Sequence, residues 1–369
     1  MRRGIVRFLA PVALLGLVAA ACGNNGDGGT AGGGATSSSG AGVQCNANIK
    51  VGVAFDVGGL GDKSFNDAAN AGVQQAIADG LVCEQNVVTN EANATGSDRD
   101  QNVQALADAG FNLVVGVGFA FSPGLNTIAP TYPDTSFMVV DGYATCGTAC
   151  GLDNDNLTNV ADFTFKEQEG SFLVGAAAAI KCACDTIGFL GGQTGPLIQK
   201  FEAGYTAGAK AVNPSIKVLV QYIGDDVTAF NDPVKGEALS TKMYDQGAEI
   251  IYHASGASGA GLFNAAVKAN KLAIGVDSDQ YLTASPDQQP LILTSMIKRV
   301  DTAVYTATKQ VGDGSFQAGG TVFDLAGEGL DYSKSNPAEM TQDIIDQLEA
   351  YRQQIISGAI VVPEDPSKA

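Results

Sequence analysis

Eight short, nearly uninterrupted apolar runs punctuate this chain, separated by stretches rich in alanine, glycine and other small residues. They are IKVGVAF (49–55), NVVT (86–89), NLVVGV (112–117), SFMVVD (136–141), TIGFLG (186–191), IKVLVQY (216–222), EIIYHA (249–254) and LAIGVD (272–277). A strand apolar on both faces must be covered on both faces, which requires a parallel sheet flanked by helices. Eight such strands over about 230 residues predict an α/β architecture with two sheets in two lobes. Sheets of this kind hold ligands beyond the C-terminal ends of their strands. Asp56 follows the first run, Gly118 and Phe119 follow the third, Asp141 ends the fourth and Asp277 ends the eighth, so these residues mark the candidate site.

The N-terminus speaks to compartment. Arg2, Arg3 and Arg7 precede an uncharged stretch, Phe8 to Ala21, that is too short to span a bilayer and suits the apolar core of a signal peptide. It ends in LVAAAC, which resembles a bacterial lipobox with Cys22 as the lipid-carrying residue, although Ala19 stands where leucine is usual. Residues 1–21 are therefore read as a lipoprotein signal peptide. Residues 22–44 are read as the lipidated cysteine and a flexible Gly/Ser-rich tether, a composition that builds no core. The expected location is the extracytoplasmic face of the cell membrane, with the lipid as the only membrane contact.

Charge and histidine content exclude function classes. The 39 acidic and 21 basic residues leave a net charge of −18, which argues against nucleic acid as a partner. A single histidine, His253, argues against histidine-rich metal sites and is read as structural within its apolar strand. No metal and no cofactor is expected. The glycine-rich turns GVGFAF (116–121), GFLGGQTGP (188–196) and SGASGAG (255–261) imitate nucleotide loops, but Phe121 replaces the third fingerprint glycine and no GK[ST] ending follows. They read as strand-to-helix turns whose amides face a small ligand.

Six cysteines remain after Cys22, an even number in an exported chain, which favours three disulfides. Cys45 and Cys83 each precede a candidate strand, and neighbouring parallel strands start on one edge, so this pair is expected first. Cys146 with Cys150 comes next. Cys182 with Cys184 would close a very small ring, and cross-pairing between these two groups stays open.

The segment VGVAFDVGGLGDKSFNDAANAGVQQA (51–76) resembles the opening of the basic-membrane-protein (PnrA-like) lipoprotein family, the purine-nucleoside receptors of bacterial ABC importers. The likeness continues in order through VGVGFAFS (115–122), NVADFTFKEQEGSFLVGAAAA (159–179), IGFLGGQTGPLIQKFEAGYTAGAKAVNP (187–214), FNDPVKGEAL (230–239), IYHASGASGAGLFNAA (251–266), IGVDSDQY (274–281) and LTSMIKRVDTAVY (293–305). The extra cysteines and the acidic IGDDVTAFND segment depart from it. The resemblance implies a type I periplasmic-binding-protein fold, two Rossmann-like lobes joined by a three-crossing hinge. Lobe one would hold 46–145 and 278–318. Lobe two would hold 146–277 and 319–362, ending in a helix marked by Ile344, Leu348, Tyr351 and Ile355 and a short strand AIVVP.

The resemblance also implies a site. Asp56 and Asp141 match the family aspartates on the purine edge, and a carboxylate accepts from the N–H groups of guanine, hypoxanthine or adenine. Phe65 and Phe201 match the phenylalanines that sandwich the base, and Asn66 would add a polar contact. Asp277 and Lys298 match the ribose contacts, and Gly256 would let backbone approach the sugar. Each has a plainer reading: caps for Asp56, Asp277 and Asn66, a turn for Asp141, core for the phenylalanines, and a solvated helix face for Lys298. The implied function is non-enzymatic capture of guanosine, inosine or adenosine and delivery to an ABC permease by a monomeric receptor. The alternatives are a solute-binding or sensory lipoprotein for a sugar, and an extracytoplasmic nucleoside-processing enzyme.

Overall fold

The structure, a computed structural model, describes residues 44–182 and 184–369. The expected signal peptide, Cys22 and nearly all of the expected tether lie outside the described residues. Among those described, no helix is long and apolar enough to cross a membrane.

The chain runs β1 (Val51–Phe55), α1 (Phe65–Ala78), β2 (Val87–Glu91), α2 (Arg99–Asp108), β3 (Leu113–Val117), α3 (Ser122–Ile128), β4 (Ser136–Val140) and β5 (Val160–Phe165). It continues through α4 (Glu167–Lys181), β6 (Thr186–Gln193), α5 (Pro196–Val212), β7 (Lys217–Gly224), α6 (Pro233–Asp245), β8 (Ile250–Ala254), α7 (Gly259–Ala269), β9 (Leu272–Asp277), α8 (Gln280–Thr283) and β10 (Ile292–Lys298). It closes with α9 (Val300–Asp313), β11 (Gly319–Phe323), β12 (Leu330–Tyr332) and α10 (Gln342–Ile356).

Two six-stranded sheets result, ordered β11-β5-β4-β3-β1-β2 and β12-β10-β9-β8-β6-β7. Every pairing is parallel except that of β10 with β12. All eight apolar runs are strands, and β1, β3 and β8 are buried along their whole length, as coverage by helices on both faces demands.

The lobe boundaries differ from the expected ones. Residues 160–165, expected in lobe two, form β5 of the first sheet, while 292–298, expected in lobe one, form β10 of the second. Likewise β11, expected in lobe two, pairs with β5 in the first sheet. The chain therefore crosses between sheets at Lys166, at Arg299 and around Asp324. These crossings are tied together. Lys166 N–H donates to Phe323 O at 2.9 Å, its ammonium meets Asp324 Oδ2 at 3.1 Å, and Arg299 N–H donates to Gly329 O at 3.0 Å.

The C-terminal helix is present as α10, with Ile344, Leu348 and Ile355 buried and the Tyr351 ring 5.5 Å from that of Phe172. Residues 359–363 join neither sheet and are not a strand. Cys45 pairs with Cys83, Cys146 with Cys150 and Cys182 with Cys184. The first joins the starts of the paired strands β1 and β2.

Candidate functional site

The C-terminal ends of the two sheets face one cleft of about 620 Å³, mouth included, a size suited to a small molecule. Asp56, Phe65, Asn66, Asp141, Phe201, Gly256, Asp277 and Lys298 all line it. Asp56 leaves β1, Asp141 leaves β4 and Asp277 ends β9, as strand-end logic requires. Asp141 and Asp277 both hold the left-handed conformation, φ 63° and 64°, which is strained for a residue with a side chain and is concentrated at functional sites.

Lys298 corrects its expected setting. It ends strand β10 rather than sitting in a helix, and it is 2% exposed. Its ammonium contacts Asp141 Oδ2 and lies 3.2 Å from Glu167 Oε1. Around it stand the rings of Phe65, Phe165 and Phe201, at 5.3, 5.0 and 5.3 Å from their centroids, within cation–π range. Phe65 opens α1 of the first lobe and Phe201 lies on α5 of the second, so the two rings approach from opposite sides.

The electrostatics follow from burial. Burial works against the Lys298 charge, but Asp141, Glu167 and Asp277 outweigh it and hold the ammonium above its ordinary range. Burial also pushes the Asp141 carboxyl up, against the pull of Lys298 and helped by Glu167. Asp277 is raised by burial too, offset by Lys298 and by Ser64, whose Oγ donates to Asp277 Oδ2 at 2.5 Å from the other lobe. One oxygen of Asp141, Oδ1, is buried without a partner among the described residues. A buried orphan acceptor costs about 1–3 kcal/mol, a cost that a ligand N–H would remove.

Asn66 has two internal tasks. Its Oδ1 accepts from the Asp56 N–H at 3.1 Å and its Nδ2 donates to Asp62 Oδ2 at 3.0 Å, which fixes the loop after β1. Asp62 also accepts from the N–H groups of Ser64, Asn66 and Asp67 and so caps α1. Burial raises its carboxyl to about 6. Gly256 lines the cleft at φ 56°, where a β-carbon would fall 3.2 Å from Phe230 O.

Several lining or supporting residues lay outside the sequence-based site. Glu167 starts α4, is fully buried and also faces Lys200 at 3.3 Å, and it sits in a stretch that reads only as helix. Phe119 and Phe230 meet across the cleft with centroids 6.4 Å apart. Phe119 was legible as a strand-end residue, whereas Phe230 lies where the family-like FNDPVKGEAL run overlaps the departing IGDDVTAFND segment. His253 is structural. It is fully buried, with Nδ1 3.2 Å from Ser255 Oγ and Nε2 2.9 Å from Gln280 Oε1, and burial lowers it to about 4.

A match to the Bmp family of PnrA-like ABC transporter substrate-binding proteins spans residues 49–366. The chain belongs to this family. It is 30% identical to a CD4+ T-cell-stimulating antigen of Listeria monocytogenes over 99% of both chains. It is 31% identical to the ABC transporter nucleoside-binding protein BmpA of Lactococcus lactis, over 88% of this chain and 92% of that one. A solved ABC transporter solute-binding protein from Aeropyrum pernix superposes with a TM-score of 0.71 at 29% identity, covering 86% of this chain and 95% of the other. The architecture is thus that of type I periplasmic binding proteins, and this family member is a solute-binding protein of an ABC transporter with a cleft for a small ligand.

Proposed function

We propose that the solute is a purine nucleoside, that Cys22 carries the lipid anchor on the extracytoplasmic face, and that the closed complex is handed to a permease. The observation that carries the ligand assignment is the meeting, in one cleft, of two phenylalanine rings from opposite lobes with carboxylates at the strand ends. A flat heteroaromatic base fits between Phe65 and Phe201, where stacking is worth roughly 1–3 kcal/mol per ring. Asp56 and the orphan Oδ1 of Asp141 accept from base N–H groups, while Asp277 accepts from the ribose diol and Lys298 keeps the carboxylates compensated. Gly256 gives the sugar room. The nucleoside-binding name of the Lactococcus lactis relative supports the same reading.

Calorimetric titration of the chain from residue 43 with guanosine, inosine and adenosine, then ribose, glucose and uridine, tests it. Binding of purine nucleosides alone, weakened at least about tenfold by Phe201→Ala, is the expected result. Preference for a sugar, or release of free base from inosine, would replace this reading with a sugar receptor or an enzyme.

A further inference from the structure

Arg99 does not line the cleft, yet it holds a close, partly buried charged contact to a lining residue. It opens α2, and its side chain lies behind Asp56, donating from Nε to Asp56 Oδ1 at 2.7 Å and pairing through Nη2 with the same oxygen. The Val57 N–H donates to that oxygen as well, at 2.6 Å. Every hydrogen bond to the Asp56 carboxyl among the described residues therefore falls on Oδ1. Oδ2 is left over Gly118, at the wall of the cleft.

The guanidinium is itself held. Its Nη1 donates to Gly96 O at 2.9 Å, and its Cζ lies 5.9 Å from the Phe121 ring centroid. Gly96 has φ 67°, and a β-carbon there would fall 2.2 Å from the guanidinium carbon. The turn before α2 is therefore shaped around the arginine. The arrangement at Asp141 is parallel: Lys298 takes Oδ2 and leaves Oδ1 buried and unpartnered. Asp56 and Asp141 are thus each fixed by a cation through one oxygen, with the other left free.

From this we infer that Arg99 is a positioning residue for ligand recognition. It fixes the rotation of the Asp56 carboxylate so that a single oxygen, Oδ2, is presented to an N–H donor on the edge of the bound base. The inference rests on the purine-nucleoside reading above. A carboxylate free to rotate would spend part of its time offering Oδ2 to solvent or to its own backbone, and the ligand would have to supply the ordering. A fixed fork also explains why arginine stands here, since only a guanidinium can meet one oxygen with two donors while giving a third to the turn.

The test uses Arg99→Met, Arg99→Lys, Gly96→Ala and Gly110→Ala, with calorimetric affinity for guanosine and inosine and a thermal melt for each. Gly96→Ala keeps the arginine and displaces its guanidinium. Gly110→Ala imposes the same backbone penalty at φ 70° in the same lobe, where nothing lies within 4 Å of the new methyl group. The expected result is affinity at least about tenfold weaker in Arg99→Met and in Gly96→Ala, an intermediate loss in Arg99→Lys, and wild-type affinity in Gly110→Ala. Wild-type affinity in Arg99→Met overturns the inference and leaves the nucleoside reading standing. Equal losses in the two glycine variants also overturn it, because backbone strain alone would then account for both. If the wild-type chain binds neither guanosine nor inosine, the nucleoside reading falls first and takes this inference with it.

Discussion

His253 gives the clearest residue-scale consequence because it is the only histidine in the chain. Gln280 Oε1 already accepts from the Val276 N–H at 2.9 Å, so it also accepts from His253 Nε2–H, which leaves Nδ1 to accept from Ser255. The folded protein refuses a proton down to about pH 4, whereas the unfolded chain takes it near 6.5. The stability carried by neutral His253 is therefore complete above pH 6.5 and is lost as pH falls toward 4, by about 3 kcal/mol in all. Raised carboxylates such as Asp62 act in the opposite direction, but they are common to wild type and variant. Urea unfolding between pH 4 and 7 should show the advantage of wild type over His253→Asn shrinking by about that amount toward acid. A constant difference would refute it. Lys298 makes a second prediction. Lys298→Met strips Asp141 of its cation in a buried setting and should cost about 3–5 kcal/mol in chemical denaturation. Lys298→Met combined with Asp141→Asn should recover part of that loss. The setting of Lys298 was not legible locally: it read as helical because TSMIKR runs straight into the helical VDTAVY, and its carboxylate partners lie far away in sequence.

At the scale of elements, α4 and α5 approach so closely that a β-carbon at Gly208 would fall 1.9 Å from Phe172 O, and one at Gly175 2.1 Å from Tyr205 O. Gly208→Val should force these helices apart and destabilise the protein by about 1–3 kcal/mol or more, seen as a lower urea midpoint. An unchanged midpoint would show that the helices can separate freely. Because Glu167 begins α4 and Phe201 lies on α5, the same variant should also weaken ligand affinity. The sequence announced the strands that are apolar throughout and hid the others for physical reasons. In β5, VADFTF, Asp162 and Thr164 break the apolar run, and in β10, ILTSMIK, Thr294 and Ser295 do so. These polar groups are satisfied inside the fold: Asp162 accepts from Thr145 N–H at 2.9 Å, and Thr294 donates to Ser333 O at 2.7 Å. β11 begins Gly-Gly and β12 has three residues, too little pattern to detect. Missing β5, β10 and β11 is what displaced the expected lobe boundaries, whereas β12 lies in the lobe expected for it. Most of the cleft was legible only through the ordered family motifs, since strand-end logic alone reaches Asp56, Asp141 and Asp277 but not Phe65, Phe201 or Lys298.

At the scale of the whole molecule, the loop before α1 fastens one lobe to the other. Ser64 donates to Asp277, Ser278 Oγ donates to Ser64 O at 3.2 Å, and Gln280 Nε2 donates to Lys63 O at 3.1 Å. The Lys63 ammonium reaches Thr283 O at 2.9 Å. Ser64→Ala removes a cross-lobe bond and leaves each lobe's core intact. It should therefore weaken nucleoside affinity by about five- to tenfold through a smaller closed population. Small-angle scattering should find the ligand-free variant more extended than wild type, and identical profiles would show that this bond does not set the balance.

The strand order has a further bearing on how the chain comes to be made. The first sheet is not complete when its fifth strand emerges from the ribosome, because β11 must add beside β5 after all but the last strand of the second sheet has been synthesised. The second sheet in turn awaits β12. Neither lobe is a contiguous stretch of chain that can finish early, and such long-range pairings are slow to form. A nascent polypeptide of this topology stays unfinished until near its C-terminus, which suits the passage through a membrane pore that the proposed lipid anchoring would require.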